Sequence, residues 1–125
     1  MQINNMNVLV LAYLGDSVYE GHVRESLIRR GISNVKDLQE NSLNYVSAKS
    51  QAGILQKLID EKFFNAEELS IIKRGRNHKN SRHPKSCDAL TYKHSTAFET
   101  LFGYLYLTGK YDRIKQIVDK IFSGV

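Results

Sequence analysis

The sequence is poor in residues that cross-link, break or anchor a chain: its 125 residues include one cysteine, one proline and no tryptophan. The lone Cys87 excludes an internal disulfide and suits the reducing cytoplasm. No apolar run approaches the roughly 20 residues of a membrane span, and the polar, uncharged start of the chain is unlike a signal peptide. We therefore expect a cytoplasmic protein of one compact domain, with no membrane contact.

Strand signals are also missing, because alternating β-branched residues nowhere persist for the length of a strand. The sequence therefore predicts an all-α fold. The expected helices run from about Asn5 to Arg30, Asn34 to Glu40, Leu43 to Lys62, Asn65 to Gly75 and Asp88 to Leu107, followed by a last amphipathic helix that carries Ile114, Ile117, Val118, Ile121 and Phe122. Gly31 and Gly109 are the expected stops of two helices, and Asn65 with Glu68 predicts a capping box. Residues 76–86 show no periodicity and form the expected loop.

Basic residues outnumber acidic ones by 18 to 13, which gives a net charge of +5 and favours a polyanionic partner. A densely basic stretch runs from Lys73 to Lys85 without an intervening acid. Its candidate nucleic-acid contacts are Lys73, Arg74, Arg76, Asn77, Lys79, Arg82 and Lys85. Aromatic residues do not interleave with these cations, which favours a duplex over a stacked single strand. A solvated basic loop without a ligand is the alternative.

Two solitary acids interrupt otherwise apolar helices. Asp16 follows Gly15 in the first helix, and Glu99 precedes Gly103 by one turn in the fifth. A glycine inside a helix is expected where another backbone or a ligand approaches closely, so the pattern suggests that the two acids meet. Mg²⁺ suits such a pair, because it is often held by only one or two protein carboxylates. Alternatively, each acid pairs with one of the many lysines and arginines.

Other chemistries lack their signatures. The four histidines, His22, His78, His83 and His94, show no zinc-like spacing with Cys87. No glycine-rich phosphate loop precedes a lysine and a serine or threonine. Cys87 has no adjoining histidine, so we interpret it as a small residue at a helix start rather than a nucleophile.

Several segments resemble one enzyme family. Tyr13-Leu-Gly-Asp-Ser-Val18 and Phe98-Glu-Thr-Leu-Phe-Gly-Tyr-Leu-Tyr-Leu107 resemble the two acidic helices of the ribonuclease III catalytic domain. The resemblance is closer to the Mini-III ribonucleases, since Val46-Ser-Ala-Lys-Ser-Gln-Ala52, Lys73-Arg-Gly-Arg-Asn77 and Thr91-Tyr-Lys-His-Ser-Thr-Ala-Phe-Glu99 also match. These segments span nearly the whole chain.

The resemblance implies a ribonuclease III-like helical bundle without a double-stranded-RNA-binding domain. It implies a homodimeric, Mg²⁺-dependent endoribonuclease that cuts double-stranded RNA, leaves 5′-phosphate ends and matures the 23S ribosomal RNA precursor, with a ribosomal protein as a further candidate partner. Asp16 and Glu99 match the metal-binding acids of the family. Two other acids of the larger relatives are replaced here by Ala12 and Thr96. The resemblance therefore does not decide whether the site holds one metal ion or two. Residues expected to support the site are Glu20, Asp88 and Thr96.

Two other functions compete with this reading. The replaced acids favour a catalytically inert, ribonuclease III-like RNA-binding or ribosome-assembly protein, whereas the retained Asp16 and Glu99 count against it. A helical DNA-binding regulator lacks a recognisable helix-turn-helix. For the dimer, the expected interface comprises the first helix and the region from Phe102 to Tyr106.

Overall fold

The computed structural model describes residues 2–78 and 87–124, and in those ranges all regular secondary structure is helical. A short 3-10 turn, Ile3–Asn5, precedes six helices. These are α1 (Val8–Arg29), α2 (Val35–Val46), α3 (Ala48–Asp60), α4 (Ala66–Arg76), α5 (Ala89–Leu107) and α6 (Tyr111–Ser123). The all-α prediction is confirmed. None of these helices combines the length and the apolar character needed to cross a membrane.

Helix α5 lies at the centre of the bundle. It packs most extensively against α1 and also contacts α4, α3 and α6. Nearly every residue from Ser95 to Leu105 is buried, with Glu99 as the partly exposed exception. Helices α1, α3, α4 and α6 contact α5, so burying its apolar residues removes a large hydrophobic area from water and holds these helices in place.

Two glycines let α1 and α5 cross in backbone contact. A Cβ atom on Gly15 would lie 1.7 Å from the carbonyl oxygen of Glu99, and one on Gly103 would lie 1.9 Å from that of Leu11. No side chain fits at such distances, so the close approach requires glycine at both positions. Since Asp16 follows Gly15 directly, the crossing brings the two acid-bearing segments together, as the glycine pattern predicted.

The predicted helix boundaries hold at most ends and fail at two places. Asn65 and Glu68 form the predicted capping box, and Gly31 and Gly109 adopt positive φ angles of 103° and 75° after their helices. The predicted division into a short helix ending at Glu40 and a long helix from Leu43 to Lys62 is wrong. α2 continues to Val46, and extended backbone at Ser47 separates it from α3. The Ser47 side chain caps α3 by accepting from the Ser50 amide. Serine is a preferred N-cap residue, and hydrophobic periodicity alone does not detect such a cap.

The start of α1 is the second difference. The predicted helix began near Asn5, whereas α1 begins at Val8 with Asn7 as its N-cap, and the Asn7 side chain accepts from the Leu9 amide at 2.8 Å. Asparagine at this position competes for the backbone donors and starts the helix later than the apolar pattern suggested.

Candidate active site

The side chains of Asp16 and Glu99 meet where α1 crosses α5. The two carboxyl groups are close enough for Asp16 to raise the pKa of Glu99 through a hydrogen bond and its charge. Asp16 is exposed and Glu99 is partly buried, so the pair is accessible from solvent on the Asp16 side. The prediction that two acids distant in sequence converge is consistent with this geometry.

The pKa of Glu99 is raised to about 8, first by burial and then by the hydrogen bond and negative charge of Asp16, while the hydrogen bond from Gln51 lowers it. Glu20, one turn after Asp16 on α1, adds a smaller contribution of the same sign. Neither Asp16 nor Glu99 forms an ion pair with any residue in 2–78 or 87–124. Among the described residues, the interpretation of both acids as ordinary salt-bridge partners therefore finds no ion pair to support it.

Two buried polar residues lie behind Glu99, and sequence reasoning did not single them out. Gln51 of α3 is 1% exposed and its Nε2 lies 3.5 Å from Glu99 Oε2, while Ser95 is 6% exposed and its hydroxyl donates to Gln51 Oε1 at 2.5 Å. A signal was available: Gln51 lies one turn before the buried Leu55, on the apolar face of its helix. A polar residue on such a face needs a buried hydrogen-bond partner.

The three supporting residues expected from the resemblance occupy different environments. Glu20 lies near the acid pair, with 36% of its side chain exposed and Arg24 at 4.0 Å. Thr96 is buried and lines a small cleft with Leu9, one helical turn before Glu99. Asp88 caps α5 by accepting from the Thr91 amide at 2.7 Å. That cap lies 11 residues before Glu99, or about 16 Å along the helix, so Asp88 is not part of the acid cluster.

A groove with basic residues runs between the start of α1 and the end of α4. It encloses about 560 Å³ and is lined by Met6, Asn7, Val8, Ser70, Lys73, Arg74, Asn77 and His78. Lys73 and Asn77 are exposed, whereas Arg76 is partly buried. Arg74 donates to the Met6 carbonyl at 2.9 Å and so also anchors the N-terminal segment. The predicted contacts Lys79, Arg82 and Lys85 lie outside the described residues.

One face of α1 is apolar and uncovered. Tyr13 is 85% exposed and Val10 is 51% exposed. Farther along the same helix, Leu14 and Val18 line a shallow depression with Tyr106. The prediction that the region from Phe102 to Tyr106 belongs to a dimer interface together with α1 is largely wrong. Phe102 to Leu105 are buried inside the protomer, because α5 is central, and only Tyr106 reaches the exposed face.

Comparison with known proteins shows which family the chain belongs to. A profile of the Ribonuclease III domain matches residues 9–110, which include both acid-bearing helices. The chain belongs to the ribonuclease III family. Within this family, it is similar to a Brevibacillus brevis protein named Mini-ribonuclease 3, with 46% identity over 122 residues, 98% of this chain and 90% of the relative.

Further relatives support the same assignment within the ribonuclease III family. The Mini-ribonuclease 3 of Staphylococcus aureus is 40% identical over 123 residues, which cover 98% of this chain and 92% of the relative. The crystal structure of a protein from Fusobacterium nucleatum is 33% identical, covers 96% of both chains and superposes with a TM-score of 0.84. The predicted membership in the Mini-ribonuclease 3 group, and the fold that goes with it, are confirmed.

The donor set of this ribonuclease III family member fits a magnesium ion. Within the described ranges no group of three or more His, Cys, Asp or Glu side chains forms a metal cluster, so the carboxylates of Asp16 and Glu99 are the available ligands. Mg²⁺ accepts such a sparse set because it retains several of its own waters. Burial first, and then the hydrogen bond and negative charge of Asp16, raise the pKa of Glu99, and a divalent cation bound to both carboxylates would favour the ionised form.

Proposed function

We propose that this endoribonuclease cleaves double-stranded RNA with Mg²⁺ held by Asp16 and Glu99. Family membership makes the chain an endoribonuclease acting on RNA. The observation that carries the finer proposal is the convergence of the two carboxyl groups, with no ion-pair partner for either among residues 2–78 and 87–124. Two adjacent carboxyl groups without a cation are costly to ionise together, and a bound cation would remove that cost.

Asp16 and Glu99 have different tasks in this proposal. The exposed Asp16 is accessible to a phosphodiester from the solvent side, whereas the partly buried Glu99 is held more firmly by α5. When bound, Mg²⁺ supplies activation of water and stabilisation of charge on the phosphodiester in the transition state. Hydrolysis joins the water oxygen to phosphorus and releases the 3′ oxygen, which gives 5′-phosphate and 3′-hydroxyl ends.

The basic groove is the proposed contact for the RNA backbone. Lys73 and Asn77 are exposed there and supply a cation and an amide for phosphate or 2′-hydroxyl groups. The groove continues through His78 to the cleft that contains Leu9. Leu9 and Asp16 are seven residues apart on one face of α1, or about 10 Å, so one RNA duplex can reach both the groove and the acids. Arg74, Arg76, Lys79, Arg82 and Lys85 complete the proposed basic surface.

A homodimer is the proposed assembly, and the uncovered face of α1 around Val10 and Tyr13 is its proposed interface. Exposed aromatic and branched side chains on one helical face are typical of a protein contact. Two-fold symmetry would present one acid pair to each strand of a duplex. Replacing Tyr13 by glutamate should then yield monomers in sedimentation velocity, whereas Val35→Glu, at an exposed site on α2, should leave the dimer intact. A monomeric wild-type protein, or a dimeric Tyr13→Glu variant, would contradict this interface.

The proposed cellular substrate is the precursor of 23S ribosomal RNA, with a ribosomal protein as a possible stimulating partner, and the proposed compartment is the cytoplasm. This assignment is supported by the resemblance of five sequence segments to Mini-III ribonucleases and by the relatives that carry that name. Loss of the gene should leave 23S RNA with extended ends, which mapping of the RNA termini would detect. Mature ends in such cells would exclude this substrate.

Cleavage itself is tested by incubating the purified protein with duplex RNA and Mg²⁺. Wild type and Asp112→Asn, a control at an exposed acid in the first turn of α6, should cut the RNA and leave 5′-phosphates. Asp16→Asn and Glu99→Gln should each lose at least about 100-fold in rate, and EDTA should stop the wild type. Wild-type protein that binds the duplex but leaves it intact would instead support the inert RNA-binding or ribosome-assembly protein, which the replacements at Ala12 and Thr96 favour.

RNA binding is tested separately in EDTA, where cleavage is prevented. Lys73→Ala should weaken duplex binding and reduce the slope of log affinity against log salt by about one, as expected for one lost phosphate contact. Lys36→Ala, at an exposed position on α2, is the control and should bind as the wild type does. Equal binding of the two variants would exclude the groove as a phosphate contact.

A further inference from the structure

Gln51 and Ser95 form a hydrogen-bonded relay that ends at Glu99. Both are nine-tenths buried or more, at 1% and 6% exposure. They come from different helices, α3 and α5, and the relay consists of the Ser95 hydroxyl, the Gln51 amide and Glu99 Oε2. Burying an amide and a hydroxyl is costly unless their hydrogen bonds are made, so the arrangement indicates a use beyond filling space.

The relay has a defined direction. A glutamine amide has one donating and one accepting end, and an ionised carboxylate accepts only. Ser95 donates to Gln51 Oε1 at 2.5 Å, which turns Nε2 toward Glu99 Oε2, 3.5 Å away. Because Ser95 lies four residues before Glu99, both are on the same face of α5. Helix α5 therefore carries both Ser95, which orients the Gln51 amide, and Glu99, which accepts the hydrogen bond from that amide.

We propose that Gln51, oriented by Ser95, is a positioning residue that holds the Glu99 carboxylate in the geometry required to bind the metal ion. This inference rests on the proposed function, because it concerns Glu99 as a metal ligand. Gln51 restrains Oε2 from the buried side while Asp16 approaches from α1. Groups that orient metal ligands commonly change metal affinity about 10-fold or more when removed.

Direct metal binding is the appropriate readout, because a merely structural role would leave it unchanged. Mn²⁺ binding is followed by loss of the electron paramagnetic resonance signal of the free ion, with Ser95→Ala, Gln51→Met and the double variant. We expect each single variant to bind Mn²⁺ about 10-fold more weakly. The double variant should bind no more weakly than Gln51→Met, because the hydroxyl acts only through the amide. The cleavage rate at saturating Mg²⁺ should stay close to that of the wild type, but a higher Mg²⁺ concentration should be needed to reach saturation.

Matched variants separate the possible failures. Gln56→Met changes an exposed glutamine on the same helix, which donates to Asp60 at 2.9 Å, and should bind Mn²⁺ as the wild type does. Wild-type affinity in Ser95→Ala and Gln51→Met, together with loss of binding in Asp16→Asn, would overturn the relay and keep the metal site. Unchanged binding in Asp16→Asn would overturn the proposed function as well. Thermal unfolding in EDTA checks each variant, and if Gln51→Met does not fold, Ser95→Ala decides.

Discussion

The stability of the metal-free protein should fall as the pH rises from about 5 to 8, because Glu99 carries a raised pKa. The pKa of this carboxyl rises from 4.5 to about 8 in the folded protein, first through burial and then through Asp16. Between these values the unfolded chain has released the proton while the folded protein still holds it. Folding therefore becomes less favourable with increasing pH in this window and levels off above about 8.

The size of the effect follows from the same values. At about 1.36 kcal/mol per pKa unit, a rise from 4.5 to about 8 corresponds to a loss of about 5 kcal/mol in the free energy of unfolding. Such a loss would be a large fraction of the stability of a small domain. Glu99→Gln removes the ionisation but keeps the shape and the hydrogen-bonding capacity of the side chain, so its unfolding free energy should not show this fall.

Urea unfolding in EDTA at closely spaced pH values measures the difference. Subtracting the curve of Glu99→Gln from that of the wild type cancels the contributions of the other titrating groups. Asp16→Asn should show a fall reduced in size but still present, because burial, the larger cause, stays. Mg²⁺ at 10 times its dissociation constant should then raise the free energy of unfolding of the wild type by about 1.4 kcal/mol near pH 8. Parallel curves for wild type and Glu99→Gln between pH 5 and 8 would refute the reasoning.

Four further substitutions, one of them a control, test the packing of the bundle by urea unfolding in EDTA. Gly15→Ala should cost about 3 kcal/mol or more, because its Cβ would overlap the α5 backbone, whereas Gly21→Ala, with open space around it on the same helix, should gain up to about 1 kcal/mol. Glu68→Ala should lower the free energy of unfolding by about 3 kcal/mol, because it removes both the 2.7 Å ion pair between Glu68 and Arg113 and the capping box with Asn65. Tyr19→Phe should lower the free energy of unfolding by about 1 kcal/mol, because the Tyr19 hydroxyl donates at 2.8 Å to the partly buried carbonyl of Tyr45 in α2, and cleavage should be unchanged. Equal stabilities for the two glycine variants, or wild-type stability of Glu68→Ala or Tyr19→Phe, would contradict the corresponding contact.

Local signals predicted most of the fold. Short-range chemistry that a sequence carries explains the absence of strands from residues 2–78 and 87–124, the positive-φ glycines at positions 31 and 109, and the capping box of Asn65 and Glu68. Ser47 was missed because its role as a helix cap depends on extended backbone at one position inside a stretch of otherwise helical residues. Periodicity averages over such a point, so one break was placed too early.

The candidate site was predicted in part. Gly15 and Gly103 indicated a close helix crossing, and the acids beside them indicated what the crossing brings together. Sequence spacing does not determine the angle at which two helices cross or what a third helix contributes. Gln51 belongs to α3 and reaches the site only because α3 packs on α5, so its role depends on tertiary contacts that no single segment specifies.

The close crossing of α1 and α5 at Gly15 and Gly103 and the acid pair of Asp16 and Glu99 occupy the same place. Any side chain larger than hydrogen at Gly15 or Gly103 would push α1 away from α5, and the distance between Asp16 and Glu99 would increase with it. That separation would relieve the repulsion between the acids, yet it would also remove the geometry in which both can bind one cation. Gly15→Ala should therefore weaken Mn²⁺ binding even under conditions where most of the protein stays folded. A variant that retains wild-type metal affinity would mean that the acids do not depend on the crossing for their proximity.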